Sequence, residues 1–295
     1  MLAFILHLQL RDKIKNRKNE KEKRFIYMSC KDRYQNQNLF ETVEAVSSEK
    51  PEEVKAKPVE RLLFGVDSEA ISDDMLQNNL TEFEWVSRNK LYPDFWGRNI
   101  VGEHHLTKKE IEFLHNQGCK IAAIYRTSDV KETAEQGKVL AKKVDVVALE
   151  LGIPEGTAVF LEIDENEKVT RSYMQGFAEM LLSEGFTPGF KVNTDAKFRF
   201  DREYSGGMQA ARDVFEKCLI WAVAPSLPEF ERTTTTHFIH PDEWLPFAPS
   251  GITRNDIAIW QYGKNCHPIC DDAGDEVTFN VNLVRNEQVI IEKMF

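Results

Sequence analysis

The chain has 295 residues, a length that accommodates one barrel-sized domain or two smaller ones. With 42% hydrophobic and 29% charged residues, it has the composition of a globular protein rather than of a disordered chain. Its formal net charge of −10 argues against the basic face that binding to a phosphate backbone requires, so we expect no nucleic-acid partner.

The first sixty residues indicate a charged tail and linker. Residues 11–24 are rich in Lys and Arg, and residues 39–60 are acidic and contain prolines. Because such stretches hold too few apolar residues to form a core, we expect a poorly ordered tail over 1–60 and a structured domain over 61–295.

The apolar run at the start of the chain ends at Arg11, well short of the ~20 residues that a transmembrane helix needs. Positive charges follow this run instead of preceding it, and no cleavage site of small residues appears, so we predict neither a transmembrane segment nor a signal peptide. These features favour a cytoplasmic protein, or one that is released by a nonclassical or phage-type route.

From Arg61 onward, strand-like and helix-like segments alternate. A stripe of small and apolar residues at spacings of four and three, from Val130 to Leu151, predicts a long helix. Thr107 followed by Glu110 predicts a capping box at the start of an earlier helix. Apolar runs predict strands in the segments RLLFGVD, DFWGRNIVG, CKIAAIY, TAVFLEID, GFKVN, CLIWAVA and IAIWQY.

Repeated βα units indicate parallel strands, and their span fits one (β/α)₈ TIM barrel. A doubly wound open sheet is the alternative fold. It is disfavoured because no glycine-rich phosphate loop follows any of the predicted strands.

Two of the predicted strands end in carboxylates. RLLFGVD ends at Asp67, and TAVFLEID carries Glu162 and Asp164, which strand alternation directs to the same side. Barrel enzymes carry their chemistry at the carboxyl ends of the strands. Carboxylates that converge from separate strand ends therefore predict a glycosidase-like cleft, because glycoside cleavage generally uses two of them.

The chain from about Leu62 to the end resembles a bacterial glycoside hydrolase-like domain family once labelled domain of unknown function 1906. The resemblance rests on an ordered set of segments: GVD, PDFWGRNI, the long helix leading into LGIPEGTAVFLEID, a tyrosine-bearing helix, GFTPGFKVN, LIWAVAP and IWQYG. It implies a TIM barrel related to barrel-type muramidases, with a cleft for peptidoglycan or a related cell-wall glycan.

The resemblance also implies roles for individual residues. Asp67 corresponds to the aspartate of the first strand, and Asp164 to the aspartate of the acid pair on the fourth. The chain departs from the family at Asn166, where relatives have the second acid, and at Asn280, where relatives have a late aspartate. An amide forms hydrogen bonds but cannot act as a general acid, which makes catalysis an open question.

Glu162 is a candidate replacement acid. Two carboxyls as close as Glu162 and Asp164 would raise the pKa of one of them, which is what a general acid needs; a buried structural acid is the alternative reading. Trp260 and Tyr262 are candidates for stacking on a sugar ring, although aromatic residues with a polar tip are also common in cores. Gln261 between them, together with Asn166 and Asn280, is a candidate for hydrogen bonds to the glycan.

No cofactor or metal is predicted. The histidines lack metal-binding spacing, and the pair in CHPIC, Cys266 and Cys270, is either a loop disulfide or a weak corner of a metal site. Three functions remain: a glycoside hydrolase using Asp67, Asp164 and Glu162, a glycan-binding barrel that has lost catalysis, and an intracellular scaffold.

Overall fold

The computed structural model describes residues 62–88, 91–227, 241, 243–266 and 278–295. These residues all fall within one compact unit that begins at Val59. The tail and linker predicted for residues 1–60 lie outside the described residues, as does Cys270 of the CHPIC pair.

Eight strands form a closed barrel in which each strand pairs with the next one along the chain, which confirms the predicted fold. Strands β1 to β7 run parallel to one another. The strands are β1 (Leu63–Asp67), β2 (Phe95–Asn99), β3 (Lys120–Tyr125), β4 (Ala158–Ile163), β5 (Thr187–Val192), β6 (Leu219–Val223), β7 (Ile257–Cys266) and β8 (Phe279–Val284).

The last strand departs from the parallel arrangement that the repeated units predicted. β8 runs antiparallel to both β7 and β1, so its first residues, not its last, lie at the end of the barrel where β1 to β7 finish. Asn280 at the start of β8 consequently pairs with Asp67 at the end of β1.

Helices follow most of the strands. They are α1 (Glu82–Arg88), α2 (Lys108–Asn116), α3 (Ala134–Leu151), α4 (Arg171–Ser183), α5 (Arg199–Ala210), α6 (Arg212–Phe215) and α7 (Glu287–Lys293), with a 3₁₀ turn at Arg254–Asp256. None of the helices in the described part of the chain is long and apolar enough to cross a membrane.

Local sequence explains where the longest helix begins and ends. Thr133 and Gln136 form a reciprocal capping box at the start of α3, and Gly152 ends the helix in the left-handed conformation with a φ of 77°. The capping box predicted for α2 is only half formed. Thr107 accepts a hydrogen bond from the backbone of Glu110, but the Glu110 carboxylate turns instead to Arg98.

The interior of the barrel is filled by its own apolar layer, separate from the core between strands and helices. The rings of Phe95 and Phe160 each make an edge-to-face contact with Trp221, and all three are fully buried. This layer forms a floor on which the polar residues at the carboxyl ends of the strands rest.

Candidate active site

Asp67 occupies the centre of the barrel mouth. Its side chain points inward from β1 and is buried among three donors. Lys191 Nζ lies 2.6 Å from Oδ2, Asn280 Nδ2 donates to the same oxygen at 2.8 Å, and Asn282 Nδ2 donates to Oδ1 at 2.7 Å. Because every one of these donors comes from the barrel wall, the carboxylate is held in a fixed orientation.

A glycine on the adjacent strand makes room for this arrangement. A Cβ at Gly97 would lie 2.7 Å from Asp67 Cβ and 2.7 Å from Trp221 Cη2, closer than such atoms approach one another. Gly97 is therefore needed at this position because Asp67 and Trp221 both pack directly against it.

Lys191 connects Asp67 to the acid on β4. Its ammonium also contacts Glu162 Oε1 at 3.3 Å and lies 4.9 Å from the centre of the Trp221 ring. Burial lowers the pKa of Lys191, but the two carboxylates raise it by more, and the net pKa lies above the ordinary value. The group is therefore an ammonium at neutral pH and not an amine nucleophile.

Glu162 and Asp164 lie on the same side of the mouth, as strand alternation predicted. The Glu162 side chain is 20% exposed and faces inward, whereas Asp164, just beyond the strand end, is 57% exposed. Arg126 contacts both carboxylates, at 3.8 and 3.4 Å. The repulsion expected between the two acids is therefore offset by cations that lie against them.

Arg126 also draws a third acid into the mouth. Its Nη1 lies 2.6 Å from Oε1 of Glu69, two residues beyond Asp67. Burial lowers the pKa of Arg126, but Glu162, Asp164 and Glu69 together raise it by more. Among the residues that the structure describes, the mouth thus contains four carboxylates and two cations, an excess of negative charge.

Asn166 is not on the inner face of β4. The strand ends at Ile163, the chain turns at residues 165 and 166, and Asn166 is exposed in that turn. The two acids that the fold directs to the mouth are Glu162 and Asp164 themselves, and Asn166, the position at which a second acid was expected, lies outside the inner face of the strand. Asn280 does lie at the mouth, where it binds Asp67.

Gln261 and its aromatic neighbours face opposite sides of β7. Gln261 pairs with Asn282, which faces Asp67, and so it lies on the inner face. Trp260 and Tyr262 point outward and are buried, and Trp260 donates a hydrogen bond to the carbonyl of Ala224. Neither ring is open to a sugar in this structure, contrary to the expectation that one of them contacts glycan.

Two amide oxygens at the mouth lack partners. Gln261 Oε1 and Asn99 Oδ1, at the inner end of β2, are buried and accept no hydrogen bond from the described residues. Buried acceptors are rarely left in this state. Both are unused acceptors, but they have no accessible surface in this structure.

Sequence reasoning missed several residues of the mouth. The positions of Lys191 and Arg126 could have been predicted, because each stands two residues after an inward-facing position and strand alternation therefore directs it inward. Phe247 carried none. Its ring is 51% exposed, and its carbonyl accepts a hydrogen bond from Thr194, two residues beyond the end of β5. Phe247 therefore lies on the β5 side of the mouth.

A second charged cluster lies on the outer side of β1 and β2. Arg98 is fully buried, contacts Glu110 Oε1 at 2.7 Å and donates to the carbonyl of Ser68 at 2.8 Å. Ser72 donates twice to Glu110, through its backbone N–H and its hydroxyl. These contacts hold the loop that follows Asp67.

Glu82 is a further buried acid in this cluster. Burial raises its pKa to about 7, an increase that the nearby Ser68 hydroxyl and Arg98 only partly oppose. Within the described ranges, no group of three His, Cys, Asp or Glu side chains has an arrangement that could hold a metal ion.

The fold resembles solved structures. An uncharacterized protein from B. stearothermophilus superposes with a TM-score of 0.62 at 25% identity, over 79% of this chain and all of the other. A family GH25 lysozyme from Aspergillus fumigatus is a more distant likeness, with a TM-score of 0.44 at 13% identity, over 79% of this chain and all of the lysozyme.

No curated protein sequence matches the chain. A family model does match it, over residues 93–270, a span that includes the ends of β2 to β7 but excludes Asp67 and the two asparagines of β8. The chain therefore belongs to the Rv2525c-like, glycoside hydrolase-like domain family.

Proposed function

We propose that this protein hydrolyses glycosidic bonds of peptidoglycan or a related cell-wall glycan at the mouth of the barrel. The observation that carries the proposal is the convergence of Asp67, Glu162 and Asp164, two of them joined through the ammonium of Lys191 at 2.6 and 3.3 Å. Glycoside cleavage generally requires carboxyl groups in two different roles at one site.

The carboxyls differ in the way that these roles demand. Glu162 contacts two cations and is four-fifths buried, which suits a charged carboxylate that stabilises positive charge at the anomeric carbon. Asp164 has a single contact with a cation, at 3.4 Å, and is mostly exposed. A bound glycan would cover Asp164 and displace water from it, which favours the protonated form.

In the proposed reaction, Asp164 gives its proton to the leaving oxygen as the bond from that oxygen to the anomeric carbon breaks. Water then adds to the anomeric carbon and returns a proton to Asp164. The sum is one glycosidic bond and one water consumed and two sugar ends released, with both carboxyls restored.

Recognition of sugar is supported by the remaining groups of the mouth. The half-exposed Phe247 offers an apolar face. The unpartnered oxygens of Gln261 and Asn99 would suit hydroxyl and acetamido N–H donors once a bound ligand displaced the groups that cover them. The choice of a wall polymer follows from the family's resemblance to barrel-type muramidases.

The test is release of reducing ends from purified peptidoglycan and from chitooligosaccharides. We expect release by the wild type, a loss of roughly 10²- to 10⁴-fold in Asp164→Asn, and little change in Glu165→Gln, a neighbouring exposed acid. Equal release by the wild type and Asp164→Asn would show that Asp164 is not the proton donor.

A second candidate function is glycan binding without hydrolysis. It is favoured by the pairing of the mouth carboxylates with Lys191 and Arg126, and by an amide at Asn280 in contact with Asp67. No release of reducing ends, together with binding of wall fragments in calorimetry, would support this function. If the protein neither releases reducing ends nor binds wall fragments, the scaffold hypothesis is the one that remains.

A further inference from the structure

Lys191 lies in a closed circuit of contacts that crosses the interior of the barrel. Its ammonium contacts Asp67 and lies over Trp221, Trp221 Nε1 donates to Asn282 Oδ1 at 2.8 Å, and Asn282 Nδ2 returns to Asp67 at 2.7 Å. The four side chains come from β5, β1, β6 and β8. The circuit consists of the protein's own side chains, so the fold itself positions the ammonium.

Lys191 also sets an upper limit on the distance between two of the candidate acids. Because one ammonium contacts both, the separation of Asp67 Oδ2 and Glu162 Oε1 cannot exceed the sum of the two contact distances, 2.6 and 3.3 Å. Without a cation between them, two carboxylates this close would favour binding a proton. The Lys191 side chain is only 5% exposed, so solvent screens its attraction to the two carboxylates only weakly.

We propose that Lys191 is a positioning residue that keeps Asp67 and Glu162 ionised, which leaves Asp164 as the proton donor of the mouth. This inference rests on the proposed function. The ammonium acts through the two carboxylates and does not itself touch the bond that is cleaved.

Other charged or titratable groups surround these carboxylates from several elements. Arg126, on the β3 side, contacts Glu162, while Asp164 and Glu69 lie on Arg126. Cys266 of β7 is close enough to Asp67 for that carboxylate to raise the thiol's pKa, although burial is the larger cause. Lys191 differs from all of these because it is the cation that contacts Asp67 and Glu162 together.

The experiment compares wild type, Lys191→Gln and Lys191→Arg in the pH profile of reducing-end release. Loss of the ammonium allows one of the two carboxyls to take up a proton, so the acidic limb of the profile should move up by about one pH unit or more in Lys191→Gln. Lys191→Arg, which keeps the positive charge, should restore the wild-type limb. An unchanged limb in a folded Lys191→Gln would overturn the inference.

A second measurement does not depend on turnover. Titration of ¹³C-labelled Asp and Glu carboxyls by NMR should show one additional carboxyl protonating near neutral pH in Lys191→Gln. If that variant does not fold, Lys191→Gln with Asp67→Asn removes one positive and one negative charge together. Glu162 should then take up its proton at a higher pH than in the wild type, and an identical titration would refute the role of Lys191.

The two experiments separate the inference from the function on which it rests. A wild type that releases no reducing ends at any pH contradicts the hydrolase proposal, whatever the carboxyls do. A wild type that hydrolyses glycan while Lys191→Gln titrates unchanged contradicts only the role of Lys191.

Discussion

Trp221 Nε1 donates a 2.8 Å hydrogen bond to Asn282 Oδ1, and this bond decides which way the Asn282 amide faces. With its oxygen occupied by the indole, the amide presents Nδ2 to Asp67 at 2.7 Å. A tryptophan of the barrel floor thus orients a donor of the site above it, and the core and the candidate active site are continuous.

Asn280 and Asn166, the two positions at which an acid was expected, should respond differently to substitution by aspartate. In the wild type, Asn280 Nδ2 lies 2.8 Å from Asp67 Oδ2. Asn280→Asp replaces this donor with a second carboxylate. We expect a loss of roughly 1–3 kcal/mol in the free energy of unfolding. Asn166→Asp, in an exposed turn, should stay within about 0.5 kcal/mol of wild type.

The loss in Asn280→Asp should grow with pH. Repulsion raises the pKa of one carboxyl in the folded state above its unfolded value, so stability is present at low pH and lost as pH rises through the folded-state pKa. Urea unfolding of the wild type and both variants at pH 5 and pH 8 measures this. Equal losses for Asn280→Asp at the two pH values would contradict the expected repulsion.

Phe247 should contribute to glycan binding but not to stability. Phe247→Ala removes an exposed ring, so the free energy of unfolding should change by less than about 0.5 kcal/mol. Affinity for chitooligosaccharides in calorimetry should fall roughly fivefold to tenfold, as expected for loss of one stacking contact.

Leu245→Ala is the matched control for Phe247, because Leu245 is 48% exposed in the same segment but carries no ring. It should leave affinity unchanged, and Phe247→Tyr should keep most of it. Equal losses in the two alanine variants would mean that the segment's shape, not the ring, matters.

Gly97→Ala should destabilise the protein by about 1–3 kcal/mol, because the added methyl overlaps Asp67 and Trp221. Gly206→Ala, in α5, should be neutral or stabilising by up to about 1 kcal/mol, since its nearest contact is the flexible end of Arg171 at 3.3 Å. Thermal unfolding of both variants checks the opposite signs. A neutral Gly97→Ala would show that the mouth can expand.

Glu82→Gln should stabilise the protein at alkaline pH. Burial raises the folded-state pKa of Glu82 from 4.5 to about 7, so the wild type loses stability as pH rises between these values. An uncharged glutamine does not incur this loss. The difference in free energy of unfolding between variant and wild type should therefore increase by roughly 2–3 kcal/mol from pH 5 to pH 8.

Glu84→Gln controls for the Glu82 measurement, because Glu84 belongs to the same helix but is not fully buried. Its difference from wild type should stay constant across the same pH range. A constant difference for Glu82→Gln as well would show that Glu82 is ionised in the folded state throughout.

The acids of β1 and β4 could be placed from sequence because strand alternation is a local rule. Alternation directed Glu162 and Asp164 to one side, and the apolar run RLLFGVD placed Asp67 at the end of β1. Each position agrees with the structure. Applied to β7, the same rule separates Gln261 from Trp260 and Tyr262. The expectation that an aromatic ring there contacts glycan overlooked this constraint.

Which cation pairs with which acid could not be predicted, even though alternation places Lys191 on the inner face. Lys191 meets Asp67 across 124 positions of sequence, and only closure of the barrel brings β5 and β1 to face each other across its interior. No strand was predicted over Phe279–Val284, and the direction of β8 could not have been predicted either. The short segment FNVNLV alternates in the same way whichever direction it runs, so its pattern does not encode orientation.

The aromatic floor of Phe95, Phe160 and Trp221 closes the interior of the barrel, so the mouth is a cleft and not the entrance to a channel. A ligand cannot pass through the barrel interior, so any molecule that reaches Asp67, Glu162 and Asp164 must enter and leave by the same end of the barrel.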